Sequence, residues 1–182
     1  MLKLKSPWKP LRKNNRDPAV QDKINGKLIF FGQVSEGRQP VIDSIFVKQK
    51  AVKLGADMCN IASVDRFKDA PKGFHPQDIY PECQSVVVFL THFPLSSLGC
   101  KSLAPYTFIR NMMVKKIEDI TFRLCDELEQ AGAPANPIPC DEPYEYWDDE
   151  KKHGRGILSL KHAGMPAGLG AIGKKTLLIN EH

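Results

Sequence analysis

Residues 167–176 read AGLGAIGKKT, and this glycine block is the most specific pattern in the chain. Gly168, Gly170 and Gly173 satisfy the dinucleotide-binding pattern G-x-G-x-x-G. The block is also one residue away from the triphosphate-binding pattern G-x-x-x-x-G-K-(S/T), because Lys175 stands where serine or threonine is required. Either pattern binds phosphate only when a buried strand precedes it and a helix follows it, so the flanking sequence decides what the block does.

The sequence on either side of the glycine block has the wrong order for a nucleotide site. Ile157, Leu160 and Gly164 recur at helical spacing before the block, and residues 175–180 after it favour a strand. The predicted order is therefore helix, glycine turn and strand, the reverse of what both nucleotide motifs require. We expect the glycines to mark either a close approach of the backbone to a ligand other than phosphate, or a tight helix-to-strand turn with no ligand.

The overall composition is that of an ordinary globular protein. Of the 182 residues, 42% are hydrophobic and 26% are charged. The longest strongly apolar run, residues 86–90, is far shorter than the roughly 20 residues that a membrane-spanning helix needs. The basic N-terminus is not followed by the apolar segment of a signal peptide. We therefore expect a cytoplasmic protein with no membrane partner.

The five cysteines and five histidines show no spacing typical of a metal site. An odd number of cysteines without a C-x-x-C pair argues against a disulfide framework, and against a zinc or iron–sulfur site within this chain. The histidines likewise lack a spacing such as H-x-x-x-H. We expect reduced, mostly buried thiols and no metal site.

The charges are distributed unevenly around a net charge of +5. Six lysines and arginines fall within residues 1–16, so residues 1–40 are predicted to form a basic, weakly structured arm with one strand candidate at 28–31. Such an arm is either a solvated terminus or a contact for nucleic acid phosphates. Residues 41–182 are predicted to form the folded domain. Within it, residues 141–150 mix six carboxylates with three aromatic rings, which predicts a loop packed over another part of the domain.

Hydrophobic periodicity predicts helices and strands without the regular alternation of a parallel sheet, so the expected fold class is α+β. The strand at 85–91 is almost wholly apolar, and we expect it to be central in its sheet and buried on both faces. The longest helix carries one apolar stripe from Ile109 to Leu128. The predicted elements are a helix at 44–54 ending at Gly55, strands at 58–64 and 85–91, a helix at 107–131 ending at Gly132, and an extended segment at 136–140.

Several sequence blocks taken together resemble one family. They are residues 50–57, 60–67 and 81–88, together with residues 160–164 and the glycine block that follows them. This combination resembles the N-terminal, corrinoid-binding half of epoxyqueuosine reductases and their relatives, which include the reductive dehalogenases. The resemblance covers residues 42–180, and the glycine block is its specific part.

The resemblance implies a nitroreductase-like fold, in which a mixed sheet is flanked by helices. It also implies that base-off cobalamin is held against the sheet and receives electrons from 4Fe–4S clusters, to reduce a carbon–oxygen or carbon–halogen bond. Those clusters belong to a C-terminal ferredoxin-like module that is expected soon after residues 176–179. The implied partners are a ferredoxin-type electron donor and, as substrate, tRNA or a small molecule.

The resemblance also assigns roles to individual residues. Asp141 directly follows the extended segment at 136–140 and matches the catalytic acid of the family, which protonates the product. The residues matched to the edge of the corrinoid are Gly168, Gly170, Gly173 and Lys174.

Departures from the family pattern leave other functions open. The Asp-Tyr-His signature expected near the start of the long helix is absent, because residues 106–110 read YTFIR, so the substrate is not assigned. The acidic segment at 142–150 resembles an insertion beside the proposed acid. One alternative function is a non-catalytic scaffold that docks a ferredoxin-type partner or an RNA. Another is a flavin-dependent reductase on the same kind of scaffold.

Overall fold

The computed structural model describes residues 42–180. The predicted basic arm at 1–40 and its strand candidate at 28–31 lie outside the described residues. Two short 3-10 turns, Val64–Phe67 and Leu95–Gly99, connect some of the elements. The helices are α1 (Ser44–Leu54), α2 (Pro76–Ile79), α3 (Ala104–Gln130) and α4 (Leu160–Gly164), and the strands are β1 (Met58–Ser63), β2 (Ser85–Leu90), β3 (Tyr146–Asp148), β4 (His153–Arg155), β5 (Ala171–Ile172) and β6 (Leu178–Ile179).

Helix α1 has the boundaries that its sequence predicts. Asp43 precedes it, and the carboxylate of this residue accepts a hydrogen bond from the backbone N–H of Phe46 at 2.7 Å. Gly55 follows it with a φ of 112°, a left-handed conformation that glycine adopts because it has no Cβ. Val47 and Ala51 lie about one helical turn apart and are fully buried, so α1 packs one face against the rest of the domain.

Strands β1 and β2 form an antiparallel pair, in which Met58 lies opposite Leu90 and Ser63 lies opposite Ser85. Within residues 42–180, β1 is the only strand paired with β2, so the prediction of a central β2 is wrong for this part of the chain. All six residues of β2 are only half-buried, because one edge of the strand is not covered by another strand.

The β1–β2 pair separates two helical layers, which explains the continuous apolar sequence of β2. Helices α1 and α3 cover one face, where Val87 and Phe89 pack. Helix α4 and the glycine block cover the other face, where Val86 and Val88 pack near Leu169. Since successive strand residues point to opposite faces, both sets of β2 side chains meet apolar partners.

Helix α3 is 27 residues long, or about 40 Å, and only its C-terminal half lies in the core. It begins at Ala104, three residues before the predicted start, and Pro105 occupies the first turn, where its missing N–H is tolerated. The predicted apolar stripe is buried at Ile120, Leu124 and Leu128, whereas residues before Ile117 are half-buried or exposed. The N-terminal half of α3 therefore extends beyond the core.

The C-terminal part of the chain contains strand pairs that the sequence does not predict. The acidic segment forms an antiparallel hairpin of β3 and β4, in which Trp147 lies opposite Gly154. Strand β5 lies inside the glycine block and pairs with β6, with Ala171 opposite Ile179. The α+β class is confirmed, because the described residues form helices and three two-stranded antiparallel sheets. The nitroreductase-like arrangement stays a prediction. None of the helices in the described range combines the length and apolar character needed to cross a membrane.

Candidate functional site

A cavity of about 500 Å³ lies beside the uncovered edge of β2. Five consecutive residues of β2, 85–89, line this cavity. Because successive side chains of a strand point to opposite faces, such a run means that the cavity borders the edge of β2 and not one face. The other walls are the C-terminal half of α3, residues 136–140 and 143–145, residues from α2 to Cys83, and residues around the start of α4. The volume is within the range of about 300–1,000 Å³ that is typical of ligand sites.

Backbone groups of β2 are also directed toward this cavity. The backbone N–H of Val64 donates to the carbonyl of Gln84 at 2.9 Å, and hydrogen-bonded pairs alternate along an antiparallel ladder. The register therefore turns the N–H and C=O groups of Val87 and Phe89 away from β1 and toward the cavity. These groups give a ligand hydrogen-bond donors and acceptors on an otherwise apolar wall.

The side chains that line the cavity are mostly apolar, with a few polar groups. Helix α3 contributes Leu124 and the hydroxyl-bearing Thr121, and the loop before α4 contributes Leu158. Ser85 and Asn136 supply further polar atoms. A mostly apolar cavity with a small number of polar groups suits a flat organic ring whose edge carries hydrogen-bonding substituents.

Three cysteine thiols contribute to the lining without acting as charged groups. Burial raises the pKa of Cys125 to about 11, and burial also raises the pKa of Cys83. The pKa of Cys140 is raised first by burial and then by the charge of Glu118. Uncharged thiols behave as small apolar side chains. Among the side chains of residues 42–180, no group of three or more His, Cys, Asp or Glu residues is placed to hold a metal ion.

Asp141 lies at the rim of the cavity, in a small polar cluster. The Arg110 guanidinium donates a hydrogen bond to its Oδ2 at 2.7 Å, and the Tyr144 hydroxyl donates to its Oδ1 at 3.3 Å. The hydrogen bond and charge of Asp141 raise the pKa of Arg110, and the charge of Asp141 is the main cause that raises the pKa of Tyr144. Tyr144 and Cys140 line the cavity, whereas Asp141 itself lies just outside it.

The fold itself excludes a side chain at Gly170, and it disfavours one at Gly173, where the flexible side chain of Ile179 would have to move. A Cβ at Gly170 would overlap the carbonyl oxygen of Ile179, and a Cβ at Gly173 would overlap the side chain of Ile179. Strand β6 therefore packs directly against the backbone of the block. Gly168 has a φ of 72°, but its Cβ position faces open space, and Lys174 is exposed. The contact of these residues with a ligand stays a prediction.

The structure divides the sequence-predicted site into two parts. Asp141 belongs to the rim cluster, while the three glycines and Lys174 lie beyond α4 and do not line the cavity. Helix α4 connects the two parts, because Leu160 and Ala163 line the cavity and the glycine block follows that helix. The sequence did not identify Arg110, which lies 31 positions from Asp141, because no local spacing links residues so far apart.

The cavity fits part of a corrinoid or the ring of a flavin. Its apolar walls suit the face of either ring system, and Ser85 and Asn136 suit the amide or carbonyl groups at the edge. The volume of about 500 Å³ holds a ring of flavin size, whereas a corrinoid with its side chains exceeds it.

The functional interpretation rests on this geometry and on the sequence resemblance. In comparisons with known proteins, the chain matches no family model, no curated protein and no solved structure.

Proposed function

We propose that this chain is the cofactor-binding portion of an iron–sulfur oxidoreductase related to epoxyqueuosine reductase, and that cobalamin binds in the cavity beside β2. One observation carries the proposal. The cavity is bordered on one side by residues 136–140, which lead into Asp141, and on another side by α4, which leads into the glycine block. Asp141 and the glycine block therefore each follow, along the chain, a segment that lines the same cavity.

In this proposal, the chain holds the cofactor and controls water and protons around it. When bound, a reduced corrinoid supplies electrons for the reduction of a carbon–oxygen or carbon–halogen bond. Strand β2 and helix α3 line the cavity and would exclude water from the bound cofactor. Asp141 takes up a proton from solvent and delivers it at the rim of the cavity, and Arg110 and Tyr144 hold its carboxyl group in place through their hydrogen bonds.

The proposal extends to the fold, the location and the partners of the protein. The two helical layers on either side of β1 and β2 are the arrangement expected of a nitroreductase-like domain. The five free cysteines suit a reducing compartment, so we place the protein in the cytoplasm. Electrons come from a ferredoxin-type donor, and the substrate is tRNA or a small molecule that reaches Asp141 from the solvent side.

Anaerobic titration of the full chain with cob(II)alamin tests the proposal. We expect a saturable change in the visible spectrum of the cofactor, with the features of the base-off form that the family resemblance implies. Bovine serum albumin at the same concentration serves as the control for nonspecific binding. An unchanged spectrum at high micromolar protein would contradict corrinoid binding by this chain.

The cavity volume favours a second candidate, a flavin-dependent reductase. A cavity of about 500 Å³ encloses a ring of flavin size without leaving part of the ring outside. This candidate predicts saturable quenching of FMN fluorescence on addition of the chain. If FMN binds and cob(II)alamin neither binds nor displaces it, the flavin function replaces the corrinoid function.

A further inference from the structure

The outer edge of β2 carries backbone hydrogen-bonding groups that have no partner among residues 42–180. The register with β1 turns the N–H and C=O groups of Val87 and Phe89 away from β1. Apart from β1, no strand in this range pairs with β2. Folded proteins usually cover an apolar strand edge of this kind, because it pairs readily with another extended segment.

The cavity beside this edge has apolar walls on both sides of the sheet. Leu124 and Leu128 belong to the layer of α1 and α3, and Leu158 and Ala163 belong to the layer of α4. The side chains of a strand added at this edge would alternate between the two layers, as those of β2 do. The cavity therefore suits an extended segment that is apolar at every position.

The chain itself contains a segment of this kind, residues 28–31, which read LIFF. This strand candidate lies outside the described residues and is the longest apolar run within residues 1–41. Residues 32–41 separate it from Ile42 and reach up to about 35 Å when extended. Ile42 packs on the same core cluster as Val87 of β2, so the connection is long enough to bring the segment to the open edge.

We propose that residues 28–31 dock inside the cavity as a third strand, on the outer edge of β2. Their backbone pairs with Val87 and Phe89, and their side chains pack alternately on the two helical layers. Strand β2 is then the central strand of a three-stranded sheet, as its continuous apolar sequence predicts. The proposal concerns the chain without a cofactor and does not depend on the proposed function. A ligand of the cavity has to displace the segment.

Amide hydrogen exchange of the full chain without cofactor, followed residue by residue by NMR, tests the proposal. The amides of Val87 and Phe89 are expected to be protected in the wild type. In the double variant Ile29→Asp, Phe30→Asp they are expected to exchange at least about a hundredfold faster, because neither apolar layer accommodates a buried charge and the segment leaves the edge.

Two controls make the exchange measurement specific. The amides of Val86 and Val88 point toward β1 and are expected to stay protected in every variant, which shows that the domain is folded. The double variant Leu2→Asp, Leu4→Asp places the same charges elsewhere in the N-terminal arm and is expected to exchange like the wild type.

Three results would overturn the proposal. The first is fast exchange at Val87 and Phe89 in the wild type, and the second is equal protection of these amides in Ile29→Asp, Phe30→Asp. The third is protection that disappears on dilution, because the edge would then pair with a second copy of the chain.

Discussion

Asp141 is the residue whose role depends most on its surroundings. Sequence resemblance alone marks it as an acid, and the structure adds Arg110 and Tyr144 as hydrogen-bond partners on its two oxygens. These partners fix the direction of the carboxyl group at the rim of the cavity. Such positioning is a requirement for a proton donor, because proton transfer needs a short and aligned contact with the substrate.

The pKa of Tyr144 depends on the charge of Asp141, so titration of Tyr144 measures the interaction between the two groups. The negative charge of Asp141 is the main cause that raises this pKa above its ordinary value of 10.0. The raised pKa stabilises the fold below pH 10.0, and this contribution is lost as the pH rises through the folded-state pKa. In Asp141→Asn the neutral amide removes the charge, so Tyr144 is expected to ionise at a lower pH. Ultraviolet difference titration measures the change, and Tyr144→Phe identifies the signal. An unchanged titration of Tyr144 would show that the two groups do not interact.

Alanine substitutions at Gly170 and Gly168 are expected to cost different amounts of stability, because only the Cβ position of Gly170 is blocked by another part of the chain. At Gly170, a Cβ would overlap the carbonyl oxygen of Ile179, and the backbone cannot move without disrupting β6. Gly170→Ala is therefore expected to lower the free energy of unfolding by about 3 kcal/mol. Gly168→Ala meets open space and is expected to cost only about 1 kcal/mol, for its positive φ. Urea denaturation measures both variants, and equal costs would contradict the packing of β6 on the block.

At the level of elements, local sequence signals predicted the helices better than the strands. Helix α1 has an N-cap aspartate and a C-terminal glycine, and both of its boundaries match the prediction. The β3–β4 hairpin was expected to be a loop, because a strand pair of three residues each carries too few alternating side chains to be recognised. The apolar sequence of β2 predicted that both faces of the strand would pack against other elements, and both do. It did not indicate how many strands pair with β2.

The two faces of α3 differ in the stability that they contribute. Leu128 is buried and belongs to the predicted stripe, so Leu128→Ala is expected to cost about 3 kcal/mol through the cavity that it leaves. Phe122 is 68% exposed, and Phe122→Ala is expected to change the free energy of unfolding by less than about 0.5 kcal/mol. Urea denaturation of the two variants compares them directly. A similar cost for both would contradict the orientation of the helix.

For the whole molecule, the main finding is the cavity between the two helical layers. The sequence-predicted residues do not line it: Asp141 follows the lining segment 136–140, and the glycine block follows α4. The sequence did not predict the cavity itself. The cavity is formed by the unpaired edge of β2 and by the packing of α3 and residues 136–140 around that edge. Those long-range contacts leave no periodic signal in the sequence. The sequence therefore did not predict that Arg110 and Tyr144 belong to the site, or that residues of α3 line the cavity.

We propose that this cavity is the cofactor site. Substitution of two adjacent residues of α3, one that lines the cavity and one that does not, tests this proposal. Thr121 lines the cavity, whereas Phe122 points to solvent. Thr121→Trp fills the cavity, and Phe122→Trp places the same ring about 100° around the helix, on its solvent-exposed side. After far-ultraviolet circular dichroism has shown that both variants are folded, cob(II)alamin binding is followed by the visible spectrum. We expect Thr121→Trp to bind cob(II)alamin at least about tenfold more weakly than Phe122→Trp, which should bind it like the wild type. Equal binding by the two folded variants would contradict the claim.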